Sequence, residues 1–176
     1  YAGKYSVTVK DSKGKAISGE KVIVYINNKK IKTATTNKNG VASITIAAKT
    51  LKSLKAGTKT LNATLSSNYN PGYKTAKVVI SKEKTKIVAP KKTFKKSVKT
   101  KKYTITLKAN GKALKSKKVY LKINKKTFTA KTGANGKATF KITNLKKKGT
   151  FSATISFNAN SYYNKATKTV KITAKK

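Results

Sequence analysis

The sequence predicts an all-β chain made of two tandem sandwiches. Three observations carry that prediction. Apolar and polar residues alternate at period two, turn residues punctuate the chain about every 8–12 positions, and the first half recurs in the second. Residues 5–46 match residues 103–142, with Gly14 on Gly111, Val22 on Val119, Asn28 on Asn124 and Gly40 on Gly136. Residues 60–70 (TLNATLSSNYN) match 150–160 (TFSATISFNAN). A register kept this long marks a duplicated structural unit. The join falls near Lys82–Lys84, which gives domains 1–82 and 83–176.

In the first unit Val7 and Val9 alternate with Ser6, Thr8 and Lys10, the pattern of a half-buried strand. Asp11 to Lys15 is a turn, in which Gly14 is free to take positive φ. Val22, Val24 and Ile26 form the next inward face. The Asn39-Gly40 pair predicts a type I′ hairpin before a strand over 41–46. Residues 47–57 place Leu51 and Leu54 three apart, which suggests one helical turn capping the sandwich. Leu61, Ala63 and Leu65 then point inward, Asn62 and Thr64 outward, and Val78 and Ile80 lie on the last strand.

The second unit repeats the plan with Ile105 and Leu107, then Val119, Leu121 and Ile123. Phe140, Ile142, Phe151, Ala153, Ile155, Val170 and Ile172 complete it. Ahead of it, residues 85–94 read as an opening edge strand that tolerates Pro90. The first unit has only Tyr1–Lys4 in that position. Either the chain begins inside its first domain, or another chain supplies the strand, since a bare edge and open core can accept one.

Charge is the other dominant feature. There are 44 basic residues, all lysine, against the acids Asp11, Glu20 and Glu83, for a net charge of +41. Such a surface repels copies of itself and attracts polyanions. Repulsion between two positive domains predicts an extended array. The β-branched runs, nine tyrosines and five phenylalanines separate the chain from disordered basic tails. No cysteine is present, so no disulfide forms. The start is too polar for a signal peptide, so export and anchoring segments are expected outside this chain.

The string over residues 10–46, with its Gly-Lys-Ala-Ile-Ser-Gly turn and Thr-Asn-Lys-Asn-Gly hairpin, resembles the immunoglobulin-like (Big-type) repeats of bacterial and archaeal surface proteins. Residues 158–163 and, more loosely, 68–73 resemble the closing Asn-x-x-Tyr motif of those repeats. The lysine-, asparagine- and threonine-heavy usage is most similar to adhesin-like proteins of methanogenic archaea. The resemblance implies tandem immunoglobulin-like domains in an extracellular stalk that holds a distal binding region away from the cell wall. The second unit departs from the pattern by carrying Ser116-Lys117 where Ser18-Gly19-Glu20 stands in the first.

The inventory for catalysis is nearly empty. Without His or Cys there is no ordinary nucleophile–base pair. Three scattered acids make no calcium cluster, and zinc has no His or Cys to bind. No phosphate-binding glycine loop is present. The chain is therefore expected to be non-enzymatic and to need no cofactor or metal. An isopeptide cross-link needs a buried carboxyl, and residues 84–176 contain none.

Three candidate sites remain. Lys91, Lys92, Lys95, Lys96, Lys99, Lys101 and Lys102, with Lys146, Lys147 and Lys148, are candidate contacts for a polyanion, against the alternative of a solvated basic face. Tyr69, Tyr73, Tyr162 and Tyr163 stand before the last strand of each unit, either as a glycan-stacking platform or as structural tyrosine corners. Asn62 heads the sequon Asn62-Ala63-Thr64, and alternation points it outward as a candidate N-glycosylation site. The function expected is a structural and adhesive repeat at the cell surface, making electrostatic or weak glycan contact with acidic wall polymers. Two alternatives stand beside it. One is a self-assembling subunit that completes its first domain by strand donation. The other is a nonspecific nucleic-acid binder, which would lack the arginine forks commonly used to read guanine.

Overall fold

The computed structural model describes residues 2–66 and 72–176. The chain folds as two compact units, Tyr1–Ser81 and Lys82–Lys176. Almost every element is a strand, and each unit is an immunoglobulin-like sandwich of two sheets.

Unit 1 contains β1 (Gly3–Thr8), β2 (Lys21–Ile26), β3 (Lys29–Thr35), β4 (Val41–Ile46), α1 (Ala48–Ser53), β5 (Gly57–Leu65) and β6 (Tyr73–Ile80). β1 and β4 form one sheet, and β3-β2-β5-β6 form the other. Val22, Val24 and Ile26 are buried against Ala42, Ile44 and Ile46, as strict alternation requires. The helical turn expected near residue 50 is present as α1. It has no side-chain N-cap, and Leu51 and Leu54 pack on the core, so packing rather than propensity holds it.

Unit 2 contains β7 (Thr85–Val88), β8 (Lys92–Lys95), β9 (Lys101–Ala109), β10 (Lys112–Ala113), β11 (Lys118–Ile123), β12 (Lys126–Lys131), β13 (Lys137–Ile142), β14 (Gly149–Phe157) and β15 (Ala166–Lys175). One sheet joins β7, β9, β10 and β13, and the other runs β12-β11-β14-β15-β8. The predicted edge strand over 85–94 is thus two short strands in different sheets. β7 lies antiparallel to β9, the chain crosses through Ala89, Pro90 and Lys91, and β8 runs parallel to β15. Proline suits the crossover because no ladder bond is lost there. This strap seals unit 2, with Ile87 buried and Phe94 packed on the core.

Three sequence expectations change. First, Asn37 to Gly40 does not close a hairpin, because β3 and β4 lie in different sheets. Only Gly40 of the Asn-Gly pair takes positive φ, at 71°, and the Asn37 side chain organises the turn by accepting from the amides of Asn39 and Val41. The two-residue I′ hairpins are Asn27-Asn28, Asn110-Gly111 and Asn124-Lys125, at φ 48° and 63°, at 45° and 82°, and at 45° and 62°.

Second, the repeat register differs from the string match. β2 pairs Ile26 with Leu61, and β11 pairs Ile123 with Ala153, so Leu61 is equivalent to Ala153 rather than to Phe151. Asn27, not Asn28, corresponds to Asn124, and a bulge opposite Val24 and Tyr25 absorbs the extra residue. Third, Ser116 retains the geometry of Gly19. It sits at φ 58°, and its amide donates to the Thr132 carbonyl just as Gly19 donates to Thr36. Each of these threonines is buried, and its hydroxyl bridges two backbone groups of the facing turn.

Candidate anion-binding site

At one end of unit 2 the chain leaves β8, turns through residues 96–100 and enters β9. Two backbone bonds shape this turn: the Lys96 amide donates to Lys175, and the Val98 amide donates to Lys95. Lys101 is the first residue of β9 and shares the inward parity of Tyr103, Ile105 and Leu107. Its ammonium folds back under the turn, donating to the carbonyls of Val98 at 2.7 Å and Lys96 at 3.3 Å. The loop after β13 closes the same end, pinned by Leu145, which is buried. Asn144 fastens it by donating to the carbonyls of Ile123 and Asn124.

Between the turn and the loop lies an open cavity of about 460 Å³. The exposed residues Lys96, Lys99 and Lys146 line it, with Ser97, Thr100 and Thr143, and the buried Lys101 forms part of its wall. Val98, 42% exposed, and Leu145 give it an apolar patch. Two lysine runs separated by some fifty positions in sequence therefore meet at one place. The arrangement suits an anionic group carried on a scaffold with an apolar face. The low dielectric of the wall strengthens each charge–charge contact relative to open solvent.

The other lysines are dispersed. Lys91, Lys92 and Lys95 are exposed along the strap, and Lys147 and Lys148 along the loop. Lys102 lies on the outer face of its sheet, directly across from Lys141. Lys101 is corrected outright as a polyanion contact: it is 2% exposed, and backbone carbonyls occupy its ammonium. Its parity with Ile105 was the sequence signal. Lys101→Met is expected to leave affinity for a sulfated polysaccharide within about twofold, whereas Lys99→Ala lowers it, read by titration at fixed salt.

The tyrosines divide differently. Tyr162 and Tyr163 lie in the loop between β14 and β15, at the opposite end of unit 2 from the lysine cavity. The Tyr163 ring packs edge-on against Phe157 at 6.4 Å, with the Lys117 ammonium 5.2 Å from its centroid. Burial, and then the Glu83 carboxylate, hold its hydroxyl above the ordinary tyrosine range. Tyr162 is 38% exposed and Tyr73 74% exposed, while Tyr69 lies outside the described residues.

The tyrosine that bonds back to the backbone is one the sequence analysis did not single out. Tyr103 is buried and donates to the Pro90 carbonyl at 2.7 Å, tying β9 to the strap. Burial pushes its phenol up to about 12, so it stays protonated and keeps donating. Asn62 is less open than alternation implied. It sits mid-strand in β5, half-buried, with its amide oxygen covered and unbonded among the described residues.

Among the described residues no group of three or more His, Cys, Asp or Glu could hold a metal ion. No described helix is long and apolar enough to cross a membrane.

No protein-family model matches the sequence, and no curated protein matches it. Solved structures do share the fold. Invasin, described as a bacterial integrin-binding protein, aligns at TM-score 0.58 and 16% identity over 99% of this chain and 39% of its own. A tetra-tandem repeat from the extending region of a large adhesion protein aligns at TM-score 0.56 and 17% identity, over 98% of this chain and 45% of its own. The Yersinia pseudotuberculosis adhesin InvE aligns at TM-score 0.51 and 17% identity, over 100% of this chain and 55% of its own. The chain thus spans between 39% and 55% of the length of these structures.

Proposed function

We propose that the chain is a non-enzymatic, structural and adhesive segment of an extracellular surface protein. Its units act as spacers, and the lysine cavity of unit 2 contacts an acidic polymer such as a wall polymer or anionic glycan. The observation that carries the reading is the convergence of Lys96, Lys99 and Lys146 on one open cavity of an otherwise plain sandwich. The likeness in fold to invasin and to an adhesin's extending region supports the surface role. Lysine-heavy usage is the ground for placing the source among methanogenic archaea.

Binding of the full chain to isolated cell envelopes and to duplex DNA, at about 50 and about 500 mM salt, tests this. The triple variant Lys96→Ala, Lys99→Ala, Lys146→Ala is expected to lose about tenfold or more in envelope affinity, with a shallower salt dependence. An equal loss from Lys102→Ala, Lys122→Ala and Lys141→Ala, all on outer sheet faces, would replace the local site with diffuse charge. DNA binding that survives envelope competition would favour the nucleic-acid reading.

Strand donation between copies of this chain meets a physical objection. The strap already closes unit 2, so passing it to another copy fills one groove by emptying another, with no net gain in buried surface. A filament of that kind would need a further source of stability.

A further inference from the structure

The larger sheets of the two units follow one plan, yet their outer faces differ in kind. In unit 2 that face carries Lys122, Thr154, Thr167, Thr169 and Thr173, and the Thr154 and Thr169 hydroxyls bond to each other at 3.2 Å. Ile26 pairs with Leu61 and Leu61 with Ala76, as Ile123 pairs with Ala153 and Ala153 with Val170. That register makes Tyr25, Asn62, Tyr73, Thr75 and Val79 the equivalents in unit 1. A lysine and two threonines have thus given way to two aromatic rings and a valine. The exchange runs the other way only at Ile23, where unit 2 has Tyr120.

Tyr73 is 74% and Val79 70% exposed, the two most open large apolar residues among those described, and both stand on the outer side of β6. Tyr25 lies directly across from Asn62, and Asn62 across from Thr75. Tyr73 is two strands and two residues away from Tyr25, about 12 Å by strand geometry, the length of a disaccharide. Between the rings, the Asn62 amide has no partner in the fold. Its oxygen is covered, whereas its nitrogen is neither covered nor bonded among the described residues. Lys30 flanks Tyr25 from β3, Lys77 follows Thr75 on β6, and none of Asp11, Glu20 and Glu83 lies on this sheet.

We infer that this face binds a carboxylated polysaccharide, a chain of pyranose rings bearing uronate groups. The C–H faces of the sugar rings stack on Tyr25 and Tyr73, which offer flat apolar area at low entropic cost. The Asn62 nitrogen donates to a hydroxyl or carboxylate between them, and Lys30 and Lys77 meet the carboxylates. A protein partner fits less well, because Asn62 and Thr75 interrupt the apolar surface that an interface core requires. A second copy is repelled by its own charge of +41. The site lies in unit 1 and does not depend on the lysine cavity of unit 2.

The experiment titrates a galacturonate tetrasaccharide into the full chain at about 500 mM salt, which suppresses purely electrostatic contact, and follows the backbone amide shifts. Shifts are expected along β2, β5 and β6. Tyr25→Ala and Tyr73→Ala each weaken binding about fivefold or more, whereas Tyr73→Phe stays within about twofold. The openness of Tyr73 keeps folding out of the comparison, and an unchanged melting transition checks it. Uncharged maltotetraose binds about fivefold more weakly than the galacturonate. The triple lysine-cavity variant leaves these shifts as they are, so the two sites fail separately. No shift in these strands at roughly 10 mM sugar would overturn the inference. So would full affinity in Tyr73→Ala, or equal binding of maltotetraose. Shifts of the same strands that grow with chain concentration alone would overturn it in favour of a second copy.

Discussion

Ile87→Ala is expected to lower the melting transition of unit 2 by about 10–20 °C, the shift that follows from roughly 2–3 kcal/mol in a domain this size. Ile87 is 4% exposed and is the buried residue of β7, which pairs through it with Leu107, toward the end of β9. Truncation leaves a void between the two sheets that the short, three-residue crossover (89–91) cannot collapse to fill. The strap then peels, because β7 is an edge strand held by few other apolar contacts. Calorimetry reads the result directly. The transition of unit 1, whose core has no such strap among the described residues, should stay where it is. A drop in both transitions, or in neither, would show that the strap is not what seals unit 2.

Gly136→Ala should be as damaging, for a different reason. Gly136 holds φ at 71°, and an added Cβ would stand 2.6 Å from the Leu107 carbonyl oxygen and 3.1 Å from the Leu114 nitrogen. Both obstacles are backbone, so relief requires moving β9 or the turn after β10. The left-handed conformation costs about 1–2 kcal/mol and the displacement about as much again, for roughly 2–4 kcal/mol in total. Ser116 provides the internal control. It also carries a side chain at positive φ, but its counterpart Gly19 has nothing within 4 Å of an added Cβ. The position that tolerates serine is the open one. Chemical denaturation of Gly136→Ala should show a lower midpoint with an unchanged slope. A variant as stable as the parent would mean the close approach to Leu107 is not tight in solution.

The sandwich architecture was legible because period-two alternation is robust to small errors of register. Matching residues 60–70 to 150–160 misplaced β5 against β14 by two residues, yet a slip of two leaves every side chain on its own face. A slip of one would have turned the core inside out. The turns were less legible. Asn39-Gly40 carries the strongest hairpin dipeptide, but the chain changes sheets there. The I′ turns at Asn27-Asn28 and Asn124-Lys125 lack the glycine that would have advertised them, whereas Asn110-Gly111, which closes the β9–β10 hairpin, carries it.

At the candidate site, composition pointed to the two lysine runs but not to the cavity they share, since only tertiary structure brings residues 96–100 beside 143–146. The sequestering of Lys101 was readable from parity. It was missed because a lysine inside a lysine run looks like more of the same surface. Tyr103 was likewise hidden, since its acceptor is a carbonyl in the strap and leaves no mark in sequence.

The placing of Lys102 directly across from Lys141 on the outer face of unit 2 has a consequence for the conditions that favour folding. Side chains opposite each other on neighbouring strands stand about 5 Å apart, and like charges so placed oppose the pairing. A net charge of +41 leaves few acids to offset that repulsion. Near 0.1 M salt the reach of each charge falls to about 10 Å, so dissolved ions relieve the crowded folded surface more than the expanded chain. Salt therefore acts on this sandwich as a ligand without a pocket, bound wherever lysines crowd.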